Sequence, residues 1–341
     1  MESLFLLKLN KIINCNSRLS SSRVKPSIIS RIRYLLNHYW LGSKLLYQNY
    51  KSVQEIRKKD VNSLTRIDKI GFEQFRYDIR VGGPFVLLFS IPIIGYSAPI
   101  IALIAPKYLP STLIMPKQKV KFLKDDASSS SLIIDSLIEF SQRKYNYENI
   151  HGIISIMEFI NQVSNSSDRF KEIISSIPLY SSLFNKYVSL SSIDRKYLLR
   201  IHKSVLHSSF IADYMLTNYS IENDIEKWEY RILIDDKQLK QLTNFDKLSQ
   251  YELVLSLYNR GLYLHLNDMG KVLEYQQINN LYKFEKKKFD ILNEIIEIDE
   301  NIINDWKELL YKWIQIHDKL SKSNRISTSF LVHIGALLSK E

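Results

Sequence analysis

The sequence predicts an all-α protein, with a single transmembrane helix followed by a larger helical domain. Glycine and proline are scarce, at 9 and 8 of 341 residues, and five of the prolines fall between Pro84 and Pro110. Few helix breakers therefore occur elsewhere. Apolar residues recur at three- and four-residue steps, without the period-two alternation of strands. The third observation is the segment Val81–Pro106, which contains no Asp, Glu, Lys, Arg or His.

The apolar segment is long enough to cross a bilayer. A helix rises about 1.5 Å per residue, so roughly 20 apolar residues span a hydrocarbon core of about 30 Å. The segment holds four prolines, Pro84, Pro92, Pro99 and Pro106, which membrane helices tolerate better than soluble ones. The alternative is a buried hairpin of a soluble protein, with its turn at Gly95 and Tyr96.

Residues 1–33 have the composition of a mitochondrial transit peptide. They carry seven Lys or Arg among many serines and a single acid, Glu2. A cationic amphipathic leader of this kind is typical of mitochondrial import. A disordered basic tail and a secretory signal are the alternatives, although Lys8 interrupts the short apolar run Leu4–Leu7.

Residues 34–80 predict two amphipathic, membrane-proximal helices. The first spans about Tyr34 to Lys59, Asn62-Ser63 breaks the pattern, and the second runs from Thr65 toward Arg80. Both have apolar residues at helical spacing, so they are expected to lie on the membrane surface or to pack together.

Residues 107–341 predict a helical domain. Lysines 117, 119, 121 and 124 precede its first acid, Asp125, and favour placing the domain on the side of the membrane that attracts cations. The run Ser128–Ser131 reads as a short linker. About eight helices are expected from Leu132 onward. The longest is predicted to begin near Asn280 and to keep its apolar stripe to Leu320.

Charge and motifs exclude several functions. The net charge is +11, but residues 1–54 hold nine bases and one acid, which leaves a surplus of only three for the rest of the chain. No direct DNA binding is expected. Cys15 is the only cysteine, so no internal disulfide forms. Phosphate loops, zinc-protease motifs and calcium-loop spacing are absent; Asp235-Asp236 does not fit the last. We therefore expect no enzyme activity, metal or cofactor.

Several segments in the same order resemble the LETM domain family of the mitochondrial inner membrane. The resemblance runs from about His38 to Leu338 and rests on these segments: HYWLGSKLL (His38–Leu46), Leu64-Thr65-Arg66 with Phe75, Asp78, Arg80, Pro84 and Phe85, the exit motif Leu109-Pro110-Ser111-Thr112, LSQYELVLSLYNRGL (Leu248–Leu262), WIQIH (Trp313–His317) and STSFL (Ser327–Leu331).

Among these segments, Gly261, Leu262 and Trp313 stand at family-motif positions. MPKQKVKFL (Met115–Leu123) is most similar to the short LETM-domain member that lacks an EF-hand. Residues 263–304 look longer than is usual in the family.

The resemblance implies a 14-3-3-like, ribosome-binding-like helical domain in the matrix, anchored in the inner membrane. It implies association with mitochondrial ribosomes or assembly partners, in support of translation and membrane-protein biogenesis. Candidate partner contacts are Arg260, Lys117, Lys119 and Lys121. Arg260 has an alternative role as a helix end before Gly261.

A second function stays open, namely a part in potassium or calcium exchange against protons. The apolar segment offers only Tyr96, Ser90 and Ser97 as polar groups, so such transport would need a homo- or hetero-oligomer. A soluble helical scaffold is the third hypothesis.

Overall fold

The computed structural model describes residues 28–60, 63–89, 105–144, 150–207, 215–242, 245–282, 297–322 and 327–339. Within these ranges every regular element is a helix, which confirms the all-α prediction. The described α-helices are α1 (Ile28–Ile56), α2 (Arg66–Phe89), α3 (Pro116–Lys144), α4 (Ile150–Asn165), α5 (Arg169–Tyr187), α6 (Arg195–Leu206), α7 (Asn218–Lys240), α8 (Gln250–Asn259), α9 (Leu266–Tyr282), α10 (Glu300–Lys322) and α11 (Thr328–Leu338).

Polar side chains define where many of these helices begin. The hydroxyl or carboxylate of the N-cap residue accepts a backbone N–H of the first turn at Asp168, Asp194, Thr217 and Ser327. Helix α8 begins with a full capping box, in which Ser249 and Glu252 each bond to the other's backbone N–H. Such caps contribute about 1 kcal/mol each and fix the register of the helix.

One contiguous core joins the helices from α3 to α11. Helix α3 lies at its centre, packed against α6 and α9, while α5 packs against α4, α10 and α11. The largest fully buried side chains include Trp306, Trp313 and Arg260. Helices α1 and α2 pack against each other, and α1 also contacts α9. The pair α1–α2 is therefore docked onto the domain that follows the apolar segment.

The apolar segment is described only at its two ends. Helix α2 continues nine residues past the predicted end at Arg80, and a 3-10 turn at Pro106–Tyr108 follows on the far side. Residues 90–104 lie outside the described ranges, as does most of the predicted transit peptide. Among the described helices, none combines the length and apolarity needed to span a membrane.

Two sequence-based expectations differ from the structure. The run Ser128–Ser131 lies inside α3 rather than in a linker; Ser129 and Ser130 are buried, and the Ser129 hydroxyl donates to the Asp125 carbonyl at 2.9 Å. The long helix from Asn280 to Leu320 is wrong, because α9 ends at Tyr282 and residues 297–299 precede α10 without helical structure. Helix α1 is described from Ile28, inside residues 1–33, and the transit peptide itself stays a prediction.

Candidate functional site

A buried ionic centre joins three helix ends in the described structure. We define it as Asp235 and Asp236 on α7, Arg260 after α8 and Arg66 at the start of α2. The Arg260 guanidinium donates through Nε to Asp236 Oδ1 at 3.0 Å and through Nη2 to Asp235 Oδ2 at 2.7 Å. Arg66 Nε donates to Asp235 Oδ1 at 2.6 Å. Two positive and two negative charges thus compensate each other.

Helix α10 adds two further contacts to this centre, both at Asp236. Trp313 Nε1 donates to Asp236 Oδ2 at 3.2 Å, and His317 Nδ1 lies 2.6 Å from the same oxygen. Arg260 Nη1 also donates to the Ser256 carbonyl at 2.7 Å. Because burying an unpaired charge is costly, these bonds allow Arg260 to remain 1% exposed.

Neighbouring opposite charges shift the pKa values of Asp235 and Arg260. Burial alone would raise the pKa of Asp235, but the guanidinium groups of Arg260 and Arg66 hold that pKa below its ordinary value. Burial alone would lower the pKa of Arg260. The carboxylates of Asp236 and Asp235 have the larger, opposite effect, so the pKa of Arg260 is raised. Asp235 and Arg260 therefore remain ionised over the physiological range.

The backbone at Arg260 explains why glycine follows it. Arg260 is the C-cap of α8, and Gly261 adopts a left-handed conformation with φ +69°. The Gly261 N–H donates to Tyr258 O and the Leu262 N–H to Leu257 O, both at 3.0 Å. This is the Schellman motif, which a residue without Cβ enters at least cost. Its geometry turns Arg260 into the protein, which favours the helix-end role over a direct partner contact.

A second cluster, the exit clamp, holds the chain where it leaves the apolar segment. We define it as residues 109–115 with the groups of α1, α2 and α9 that bind them. The Asp78 carboxylate on α2 accepts the backbone N–H of Ser111 at 2.9 Å and its hydroxyl at 2.7 Å. Asp78 precedes the apolar segment and Ser111 follows it, so this carboxylate joins the two sides. Burial raises the pKa of Asp78, and the bonds from Ser111 partly oppose that rise.

Helices α1 and α9 close the clamp from other directions. His38 Nε2 lies 3.1 Å from Leu113 O, and the Gln277 side-chain amide donates to Ile114 O. Two glycines permit close approach: a Cβ on Gly42 would lie 2.5 Å from Thr112 O, and one on Gly82 would lie 2.6 Å from Pro110 Cδ. The exit motif is therefore a packing unit rather than a free loop.

A further buried carboxylate, Asp126 on α3, links the exit of the apolar segment to His207 at the end of α6 and to Tyr258 on α8. It is fully buried and accepts Lys107 Nζ at 3.1 Å and the Tyr258 hydroxyl at 2.7 Å. His207 stacks on Tyr258 with ring centroids 3.8 Å apart, and its Nδ1 lies 3.2 Å from Asp126 Oδ2. Burial would raise the pKa of Asp126, but His207 and Lys107 hold it below its ordinary value.

The predicted lysine contacts lie at the start of α3 and differ in exposure. Lys121 and Lys124 are exposed, whereas Lys117 and Lys119 are half-buried. Desolvation lowers the pKa of Lys119 to about 8, with the nearby charge of Asp78 acting in the opposite direction. Lys119 thus belongs with the exit clamp, which leaves Lys117, half-buried, and Lys121, exposed, as the predicted lysine contacts outside it; Lys124 is an exposed neighbour that is not among them. Their role as partner contacts stays a prediction.

The ionic centre and the exit clamp both include residues from the segments on which the resemblance to the LETM domain family rests. Arg66, Arg260, Trp313 and His317 come from three of them and meet at Asp235-Asp236. Residues 38–42 and 109–112 come from two further segments, and they meet Asp78, from the segment that also holds Arg66, at the exit clamp. A family model described as LETM1-like, RBD (ribosome-binding domain) matches residues 64–274, well over half of the chain.

The chain belongs to the LETM1-like RBD family. The match begins at Leu64, includes the exit clamp residues from Asp78 to Met115 and ends beyond Arg260, while Trp313 and His317 lie outside it. No curated protein and no solved structure matched the chain. The family prediction is confirmed, and the 14-3-3-like topology stays a prediction.

Several important residues of this LETM1-like RBD chain carried no clear signal in the sequence. Asp235 and Asp236 form an adjacent acid pair that lacks calcium-loop spacing, and the sequence does not indicate their buried partners. Asp126 follows Asp125 in a charged stretch that resembles a solvated face. The described residues contain no group of three or more His, Cys, Asp or Glu side chains arranged to hold a metal ion.

Proposed function

We propose that this protein is a binding module anchored in the mitochondrial inner membrane, which holds mitochondrial ribosomes or assembly partners through its matrix-facing helical domain. It acts without catalysis, and it supports mitochondrial translation and membrane-protein biogenesis. Membership of the LETM1-like RBD family is the observation that carries the proposal. The anchor is Val81–Pro106, whose length and lack of charge suit a bilayer.

The exit clamp suits this role because it gives the anchor a fixed attachment. Asp78 and Ser111 lie on opposite sides of the apolar segment and are joined by two hydrogen bonds. His38 and Gln277 bring α1 and α9 to the same short stretch. A domain held in this way has a defined orientation relative to the membrane, which a ribosome docked at a membrane requires.

Three lysines at the start of α3 supply a cationic surface close to that attachment. Lys117, Lys121 and Lys124 lie within about two and a half helical turns of the clamp. Ribosomal RNA presents phosphates, and contacts with lysine release counterions, so binding of this kind weakens steeply with salt. Arg260 is buried and paired, so we assign it a structural role.

Co-sedimentation of the detergent-solubilised full chain with mitochondrial ribosomes tests the proposal. Association is expected at low salt, with a steep decline as salt increases. Reversing three charges, K117E/K121E/K124E, should flatten the salt dependence by about two to three units of log–log slope. The matched control is K196E/K227E/K237E, three exposed lysines on α6 and α7. If the chain does not co-sediment with ribosomes at low salt, ribosome binding is contradicted. If both variants show the same salt dependence of co-sedimentation, the lysines of α3 are not the contact.

Cation exchange against protons remains the alternative from the sequence, and no described residue favours it. Proton-coupled potassium or calcium flux in liposomes containing the purified chain, above that of empty liposomes, would support exchange instead of the binding role.

A further inference from the structure

Helix α1 is apolar on two opposite faces. Its inner face packs on the rest of the protein and buries His38, Leu41, Gly42 and Val53. Its outer face leaves three large side chains open, which are Leu36 at 62%, Trp40 at 62% and Tyr47 at 59% exposure. These residues recur at four- and seven-residue steps, so they form one stripe along the helix. A large exposed apolar stripe of this kind marks a binding surface.

Cations accompany the aromatic rings of this outer face. Lys44 Nζ lies 5.1 Å from the ring centroid of Trp40, and Lys51 Nζ lies 4.8 Å from that of Tyr47. Between Arg33 and Lys59 the chain carries six Lys or Arg and a single acid, Glu55. The partner of this face must therefore accept aromatic rings and positive charge together.

The exit clamp shows where this face lies relative to the apolar segment. Residues 109–113 contact α1 at His38 and Gly42 and contact α2 at Asp78 and Gly82. Residues 38–42 of α1 and 78–82 of α2 therefore lie at the same height along the α1–α2 pair. Arg80 is the last charged residue before the apolar segment, so Trp40 lies level with the change from charged to apolar sequence.

We propose that the outer face of α1 lies in the headgroup region of an anionic bilayer, with Trp40 and Tyr47 at the interface and Lys44 and Lys51 directed to lipid phosphates. The inference rests on the membrane anchor of the proposed function. Trp and Tyr concentrate at the membrane–water interface, and each Lys near an anionic surface adds attraction. Long lysine side chains place their ammonium groups at phosphate level while their methylenes cover apolar surface.

The composition of the face favours lipid over a protein partner. Lysine is depleted in the cores of protein–protein interfaces, because its ammonium group is strongly hydrated. On this face lysine ammonium groups lie over the central aromatic rings. A protein partner would have to desolvate both ammonium groups, whereas a headgroup layer supplies phosphate and water to them.

Trp40 provides a direct reporter. The other three tryptophans, Trp228, Trp306 and Trp313, are at most 3% exposed. The full chain is reconstituted in vesicles with about one anionic lipid in four, and lipids brominated near the glycerol end of the chain are used as quenchers. Quenching of a blue-shifted emission is expected, and it should disappear in Trp40→Phe. An unshifted Trp40 emission that brominated lipids do not quench would overturn the inference.

Charge reversal tests the electrostatic part. K44E/K51E should reduce Trp40 quenching several-fold in anionic vesicles, while K196E/K227E, with two exposed lysines on α6 and α7, should leave it unchanged. Equal quenching in both variants would refute the role of the lysines. Carbonate extraction of the vesicles distinguishes this inference from the proposed anchor. If the chain stays in the membrane while Trp40 is unquenched, only the interfacial role of α1 is refuted. If carbonate releases the chain, the anchor is refuted.

Discussion

The ionic centre and the exit clamp both join distant parts of the chain, but they do so by different physics. In the ionic centre, the buried charges of Arg260 and Asp236 and the partly buried charges of Arg66 and Asp235 compensate one another. In the exit clamp, one carboxylate binds neutral donors, and two glycines let helices approach the backbone of residues 110–112. Removing a charge from the ionic centre should therefore lower the stability of the protein, as should adding a methyl group to a glycine of the exit clamp.

The largest expected effect is the loss of a charge in the centre. Arg260→Ala leaves the buried Asp236 without a cationic partner, while Asp235 keeps Arg66. The loss should lower the free energy of unfolding by about 3–5 kcal/mol. Urea unfolding of the detergent-solubilised chain, followed by circular dichroism, measures the change. Arg231→Ala is the control, because Arg231 is exposed on the same helix as Asp235. It should change stability by less than about 0.5 kcal/mol. Comparable values for both variants would contradict a buried ionic centre.

A smaller effect is expected from steric change in the clamp. Gly82→Ala places a Cβ against the Pro110 ring, and such overpacking costs about 1–3 kcal/mol. The neighbouring Gly83→Ala is a matched control, since its Cβ would have no neighbour within 4 Å. Because alanine favours a helix over glycine, Gly83→Ala should be neutral or stabilising by up to about 1 kcal/mol. Thermal unfolding separates the two variants, and a stabilised Gly82→Ala would show that α2 does not meet Pro110.

The smallest expected effect is a difference in pH dependence. Asp235 has a pKa below its ordinary value, so its contribution is full above about pH 4 and is lost as the pH falls through the lowered pKa. Asp78 has a raised pKa. The native state therefore holds its proton more tightly than the unfolded state, and stability declines as the pH rises above about 4.

Urea midpoints between about pH 3 and pH 7 separate these two slopes. Asp235→Asn should remove the acid-side rise of stability with pH, and Asp78→Asn should remove the decline at higher pH. If the Asp78→Asn chain retains the full decline, then another group causes it.

The elements were largely predictable from sequence, but their meeting points were not. Helical spacing and the break at Asn62-Ser63 located α1 and α2, although α2 extends past Arg80. Arg260, Trp313 and the exit motif were recognised by their resemblance to the family. Asp235-Asp236 gave no signal, because a buried acid pair and a solvated one look alike until their partners are known.

The serine run shows the opposite error, in which local composition misled. Ser128–Ser131 has the composition of a linker, yet it lies in α3 because Ser129 and Ser130 face the interior. The hydroxyl of Ser129 donates a hydrogen bond to the backbone carbonyl of Asp125, one turn earlier in the helix. The burial of these two serines shows that tertiary packing outweighed helix propensity in this stretch.

The central claim is that the two sides of the apolar segment form one packed unit with the helical domain. A double-mutant cycle between Asp78→Ala and Ser111→Ala measures it most directly, because the two residues flank that segment. With both residues present, the hydroxyl donates to the carboxylate at 2.7 Å. We predict a coupling energy of about 1–2 kcal/mol, with the double variant less destabilised than the sum of the singles. Strictly additive effects would contradict the claim.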